Sequence, residues 1–264
     1  YEIKEYKASA EKYAEAFVVL GGKAYPEDRY NAACSWALAG RADAAFVQLF
    51  HVAEKAAYSN LEHLTSDPDL NALHQDKRWN KLVKQVSVNK EKKEAKYDKP
   101  LKTKLDSIYD EDQSHRLQIQ EIEEKYGWKS SQMDSLWKII DRKDSMNLEE
   151  VKRILDTRGW LGADVVGEKG NSTLFLVIQH ARQKTQEKYL PMMRDAVAKG
   201  NAKASNLALL EDRVALGQGK KQLYGSQIGM DPKTGTYYVS ALEDPDHVDE
   251  RRAKLGLPKM QDYV

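Results

Sequence analysis

The chain reads as a mainly α protein: a short antiparallel array of helices, followed by a helical domain with a small β-hairpin near its C-terminus. Three observations predict this. Apolar residues recur at three- and four-residue steps through most of the 264 positions, the signature of amphipathic helices. Glycines stop these runs at intervals suited to helices of ordinary length. Only between about 221 and 242 does the period change to the alternation of strands.

The first helix carries Tyr6, Ala10, Tyr13, Ala14 and Phe17 on one face and stops at Gly21-Gly22. A second follows Pro26, from about Arg29 to Ala39, and Gly40 ends it. A third begins near Asp43 and turns Ala45, Leu49, Val52 and Ala53 inward. The small residues Ala32, Ala33 and Ala45 would let neighbouring helices approach closely. Residues 88–104 then carry seven lysines and almost no apolar content. They read as a solvated linker or exposed helix start, and 88–100 is taken as the boundary between a unit at 1–87 and a domain at 101–264.

The domain opens with an unusual helix. Leu101, Leu105, Ile108, Ile119, Ile122 and Tyr126 form one apolar stripe on a single helix expected to end at Gly127. Asp112, Gln113, His115 and Arg116 interrupt it. Inward charges need partners, so this helix must meet polar groups from elsewhere. Ser131–Lys143 and Leu148–Thr157 read as two helices, with Asn147 as N-cap of the second. Leu174–Ile178 is apolar all round, marking the most buried helix, and leads directly into Gln179-His180. Pro191 should kink or restart the next one. Another helix runs from about Ala202 to Leu216, with Leu207, Leu210 and Val214 inward and Asp212-Arg213 beside them. Gln222, Tyr224 and Ser226 would share one face of a strand. Asp231–Gly235 is the turn, Thr236–Leu242 the second strand, and Asp246–Leu255 a last helix.

Composition excludes more than it assigns. A formal net charge of +1 carries no bias toward nucleic acid or anionic lipid. No apolar run approaches the roughly 20 residues of a membrane-spanning helix. Cys34 is the single cysteine, so no internal disulfide and no cysteine cage for zinc can form. Its apolar setting reads as packing. Neither a phosphate loop nor a zinc-ligand spacing is present, and no metal or cofactor is expected. The chain begins at Tyr1 rather than Met, which suggests a removed leader and a periplasmic or secreted protein, with a cytoplasmic one as the alternative. Oligomeric state has no sequence signal.

Two resemblances add to this. Tyr30-Asn31-Ala32-Ala33-Cys34, Ala37-Leu38-Ala39-Gly40 and then Ala45, Leu49 and Ala53 resemble one tetratricopeptide repeat, with partial units on either side over about 1–86. That resemblance implies a concave helical surface for a peptide or protein partner. Residues 101–264 resemble an uncharacterised bacterial domain family. The resemblance rests on Asp112-Gln113 with Arg116, Gly159-Trp160, Gln179-His180-Ala181, Leu210-Glu211-Asp212-Arg213, Gly219 through Gln227, and Arg251-Arg252 with Leu255-Gly256-Leu257. Where this chain has Ser226 the family more often has threonine, which keeps the hydroxyl. The resemblance implies membership and no activity.

The candidate site is the polar set Asp112, Gln113, Arg116, His180, Asp212, Arg213, Gln222, Tyr224 and Gln227. His180 would be a general base oriented by Asp112 or Asp212. Arg116, Arg213 and the amides, with Tyr224, would hold a polar or anionic substrate. The plainer reading is that the acid–arginine pairs and glutamines staple helix to hairpin. An interaction protein, with the repeat-like surface as its binding face and a ligand-binding helical domain behind it, is the favoured function. The alternative is a hydrolase or transferase built on His180.

Overall fold

The computed structural model describes residues 5–231 and 234–263. The chain divides into two compact units, residues 1–96 and 97–264, each with its own hydrophobic core. Among the described residues there are twelve α-helices and one two-stranded antiparallel sheet. None of these helices is long and apolar enough to cross a membrane.

In the first unit, α1 (Tyr6–Val19), α2 (Pro26–Leu38) and α3 (Ala42–Lys55) pack in sequence. Ala32, Ala33 and Ala45 are fully buried, so no side chain longer than a methyl holds the helices apart there. After α4 (Leu61–Ser66) and a 3-10 turn (Pro68–Leu73), α5 (Lys77–Glu94) returns Trp79, Leu82 and Val86 to the core around Leu49 and Phe46. Asn60 and Asp76 cap α4 and α5 by accepting the backbone N–H of His63 and Arg78. The lysine-rich stretch is largely helix: α5 occupies its first half, and only Ala95–Asp98 separates α5 from the next helix. Cys34 is buried. Burial, reinforced by Asp67, pushes its thiol up to about 12, far from a reactive thiolate.

The second unit opens with α6 (Lys99–Arg116), capped by Asp98, which accepts the N–H of Leu101. The expected unbroken helix stops here, and α7 (Ile119–Tyr126) is separate. The apolar stripe serves two cores. Leu105 and Ile108 enter the main one, whereas Ile119 and Ile122 pack on Met133, Leu136 and Ile140. Leu117, at the junction, is exposed.

The two helices expected over 131–157 are one, α8 (Ser131–Arg158), capped by Ser130. Asn147 is not a cap; it is buried in mid-helix. The polar run before it contains no proline or glycine, so nothing ends the helix.

The central helix α9 (Ala163–His180) extends well before Leu174 and turns sharply at Gly167, whose φ of +74° is a conformation glycine adopts without strain. It packs against α6 and α8. In α10 (Gln183–Ala198) the helix continues through Pro191, between buried Leu190 and Met193 that anchor it to the core. α11 (Ala204–Gly217) packs on α10.

Only β1 (Ile228–Met230) and β2 (Tyr237–Val239) form the hairpin, with Gly229 opposite Tyr238. Positions 232 and 233 of the expected turn lie outside the described residues. Gln222–Gln227 is a loop rather than a strand, joined to the second strand's end by a bridge from Gln222 to Leu242 and by a hydrogen bond from the Ser240 N–H to the Gln227 carbonyl. The last helix is shorter than expected: a 3-10 turn at Pro245–His247 precedes α12 (Val248–Ala253).

Candidate functional site

The inward polar turn of α6 finds its partners on α8 and α9. Asp112, 2% exposed, sits where the three helices meet. His180, the last residue of α9, places Nδ1 3.0 Å from Asp112 Oδ1. Arg116 reaches back one turn: Nη1 donates to Asp112 Oδ1 at 3.2 Å and to its backbone carbonyl at 2.9 Å, and Nη2 donates to Asp144 Oδ2 at 2.7 Å. Gln113 Nε2 donates to Asp112 Oδ2 at 2.6 Å. Burial works against the charge on Asp112. His180, Arg116 and Gln113 together outweigh it and hold the carboxyl below the usual carboxylate range.

This network forms one wall of a cavity of about 330 Å³. Asp112, Asp141, Asp144, Ser145 and Leu148 line it from α6 and α8. Val177, His180, Ala181, Arg182 and Thr185 line it from the α9–α10 junction. His180 is partly exposed, and its Nε2 has no hydrogen-bond partner among the described residues. An ionised carboxylate can only accept, so Nδ1 carries the hydrogen, and in the neutral imidazole the lone pair is on Nε2. The geometry therefore permits proton abstraction at Nε2. Ser145 offers no evident nucleophile, because its hydroxyl donates to the Asp141 carbonyl of its own helix.

The rest of the expected set gathers elsewhere. Asp212 is fully buried, and its carboxylate accepts the backbone N–H groups of Leu223, Tyr224 and Ser226 at 2.7–3.2 Å. It anchors the 222–227 loop to α11 and does not orient His180. Gln222, also fully buried, behaves like a piece of backbone. Its Nε2 donates to the carbonyls of Gln227 and Ser240, and its Oε1 accepts from the Gln227 N–H. Arg213 donates from Nε to Gln227 Oε1 at 3.0 Å and from Nη1 to the Gln179 carbonyl at 2.7 Å, and burial pulls its guanidinium below the ordinary value. Tyr224 has its phenol raised by burial, with Glu211 and Asp212 adding to the effect. Its carbonyl accepts from Arg252 Nη1. None of these five lines the cavity at His180.

Gly225 has a φ of +65°, and a Cβ there would lie 2.7 Å from Met260 Sδ, which accounts for the glycine in the motif. The 222–227 motif is thus a folding device. Its link toward His180 runs through Arg213, which donates both to Gln227 and to the carbonyl of Gln179, the residue before His180.

Sequence reasoning missed Asp141, Asp144 and Arg182. A signal existed: Asp141, Asp144 and Leu148 follow i, i+3, i+7 spacing, one face of a helix if α8 is read without a break.

No curated protein and no solved structure matches this chain. Residues 99–264 match the model of a family of unknown function, DUF6624, from the first turn of α6 to the C-terminus. This span is well over half of the sequence and contains both the His180 cavity and the Asp212 anchor, and the chain belongs to that family.

Proposed function

We propose that the family domain binds a polar ligand in the cavity beside His180 and transfers a proton there, as a hydrolase or transferase would. The observation that carries this reading is the 3.0 Å bond from His180 Nδ1 to buried Asp112, on the wall of an open cavity. Asp112 fixes the tautomer and stabilises the imidazolium that forms when Nε2 takes a proton from water or a substrate hydroxyl. A positioned base of this kind contributes roughly 10²–10⁴-fold to a rate.

The test is a panel of ester, amide, phosphoester and group-transfer substrates, run with the wild type and with His180→Gln. Glutamine can still donate to Asp112 but cannot take up a proton. Turnover at least 100-fold lower in the variant, at unchanged melting temperature, is expected. Activity that survives the substitution, or a variant that only loses stability, would make the network purely architectural.

A second reading concerns the first unit, which we propose to be a tetratricopeptide-like module binding a peptide or protein. It is supported by the sequential packing of α1, α2 and α3. A cavity of about 660 Å³, lined by residues that include Tyr13, Tyr30, Asn31 and His63, offers aromatic faces and an exposed amide to an extended chain. Peptide-library selection on the full chain should return ligands whose binding is lost in Tyr13→Ala and Asn31→Ala. Ligands indifferent to both changes would remove the proposal.

A further inference from the structure

We infer that the cavity beside His180 recognises an organic cation, an ammonium or guanidinium group on a small molecule or a peptide side chain. This rests on the cavity being the binding site proposed above, and it names the chemical class of ligand. It also reverses the anionic substrate that the arginines of the sequence suggest.

The argument is an account of which charges are already satisfied. Three carboxylates line the cavity: Asp112, Asp141 and Asp144. Asp112 is saturated, with His180 and Arg116 on Oδ1 and Gln113 on Oδ2. Asp144 is half satisfied. Its Oδ2 takes Arg116 Nη2, whereas its Oδ1 is buried with no hydrogen-bond partner among the described residues. A buried carboxylate oxygen left unpaired is costly, and a ligand donor relieves that cost once a small rotation of the Asp144 side chain turns this oxygen to the cavity. Asp141 lies one helical turn earlier, exposed, with no side-chain partner among the described residues. The two unmet acceptors therefore sit on one face of α8.

The cations cannot meet this demand. Arg116 is committed to Asp112 and Asp144, so it is not available to grip an anion. Arg182 lines the cavity but is exposed, where solvent screens its charge. What the cavity lacks is an uncommitted, unscreened positively charged hydrogen-bond donor.

A divalent metal is the competing occupant, since ligand atoms of Asp112, Asp144 and His180 lie within 4.8 Å of one another. Arg116 argues against it. Its guanidinium already bridges two of these carboxylates, and a dication would have to bind beside that fixed positive charge. An amine or guanidinium donating to Asp144 Oδ1 and Asp141 leaves the bridge intact.

The experiment is titration of the isotopically labelled full chain, followed by the imidazole resonances of His180 and by calorimetry. The probes are agmatine and n-butylamine, with 1-butanol and valerate as neutral and anionic counterparts and Mg²⁺ and Zn²⁺ as metals. The expected result is that the two cations shift the His180 resonances and bind at least tenfold more tightly than butanol or valerate. Asp141→Asn and Asp144→Asn should each weaken agmatine at least threefold. Asp144 also holds Arg116, so Asp141→Asn, which breaks no bond within the protein, keeps the test valid if Asp144→Asn unfolds. Valerate or butanol matching the amines while moving His180 would overturn the cation assignment yet keep the cavity as a binding site. Metal binding lost in Asp144→Asn, with the amines inert, would overturn it in favour of a metal. Should no probe disturb His180, the cation assignment falls, while loss of turnover in His180→Gln remains the separate judge of the catalytic reading.

Discussion

Asp112 joins the fold to the proposed chemistry, because one carboxylate is shared among a histidine, an arginine and a glutamine from two helices. A buried acid in this position is stable only while charged and fully bonded. Its pKa is depressed in the folded state, so its contribution to stability is complete above the unfolded carboxyl value near 4 and is lost as pH falls through the lower folded value. Asp112→Asn removes that dependence. The variant is expected to be less stable than the wild type by about 2–4 kcal/mol at pH 7. The difference should narrow steadily as pH falls below about 4. Urea midpoints measured across that range check it: parallel curves for the two proteins would mean that Asp112 is not the ionised centre of the network.

At the scale of elements, what could be read from the sequence followed periodicity, and what could not followed from tertiary packing. The helical class, the glycine stops at Gly40 and Gly127 and the short hairpin all come from local signals, because apolar spacing and positive-φ positions are properties of neighbouring residues. The break between α6 and α7 was hidden. The helical period of the stripe resumes in register after its polar gap, with no glycine or proline between Leu101 and Tyr126, and its halves enter two different cores. The continuity of α8 was hidden for the opposite reason: a polar run that looks like a linker is a helical turn whose Asp144 meets Arg116 of α6.

The same limits apply to the site. Asp112, Arg116 and His180 stood out because charge on an apolar face demands a partner, and the structure brings these three together. Asp212 and Gln222 stood out for equal polarity but spend it on backbone groups, and Gln227 spends it on Arg213, Ser226 and the Leu209 carbonyl. Side-chain type alone does not distinguish a carboxylate that meets a ligand from one that closes a loop. The distinction lies in what fills its hydrogen bonds.

For the molecule as a whole, two cores in one chain make local damage a measurable question. The first unit centres on Leu49, Leu70 and Leu82, the second on Leu105, Leu174 and Leu210. Asp212 belongs to the second, at the point where α11, the 222–227 loop and, through Arg252, the C-terminal turn are tied together. Asp212→Asn keeps the size of the side chain but replaces an acceptor oxygen with an NH₂ group facing backbone donors. At least one buried N–H then loses its partner, and a charge-assisted bond is lost with it. The expected cost is about 3 kcal/mol. Hydrogen exchange resolves where that cost falls. Protection should drop by roughly 100-fold in α9, α10 and α11, which share the second core, since every 1.4 kcal/mol is a factor of ten. Amides of α2, α3 and α5 should keep their protection, because their core contains none of the residues that Asp212 anchors. Equal loss in both units would show that they unfold as one cooperative body. Loss confined to 222–227 would reduce Asp212 to a local clasp, with no part in holding the domain that carries His180.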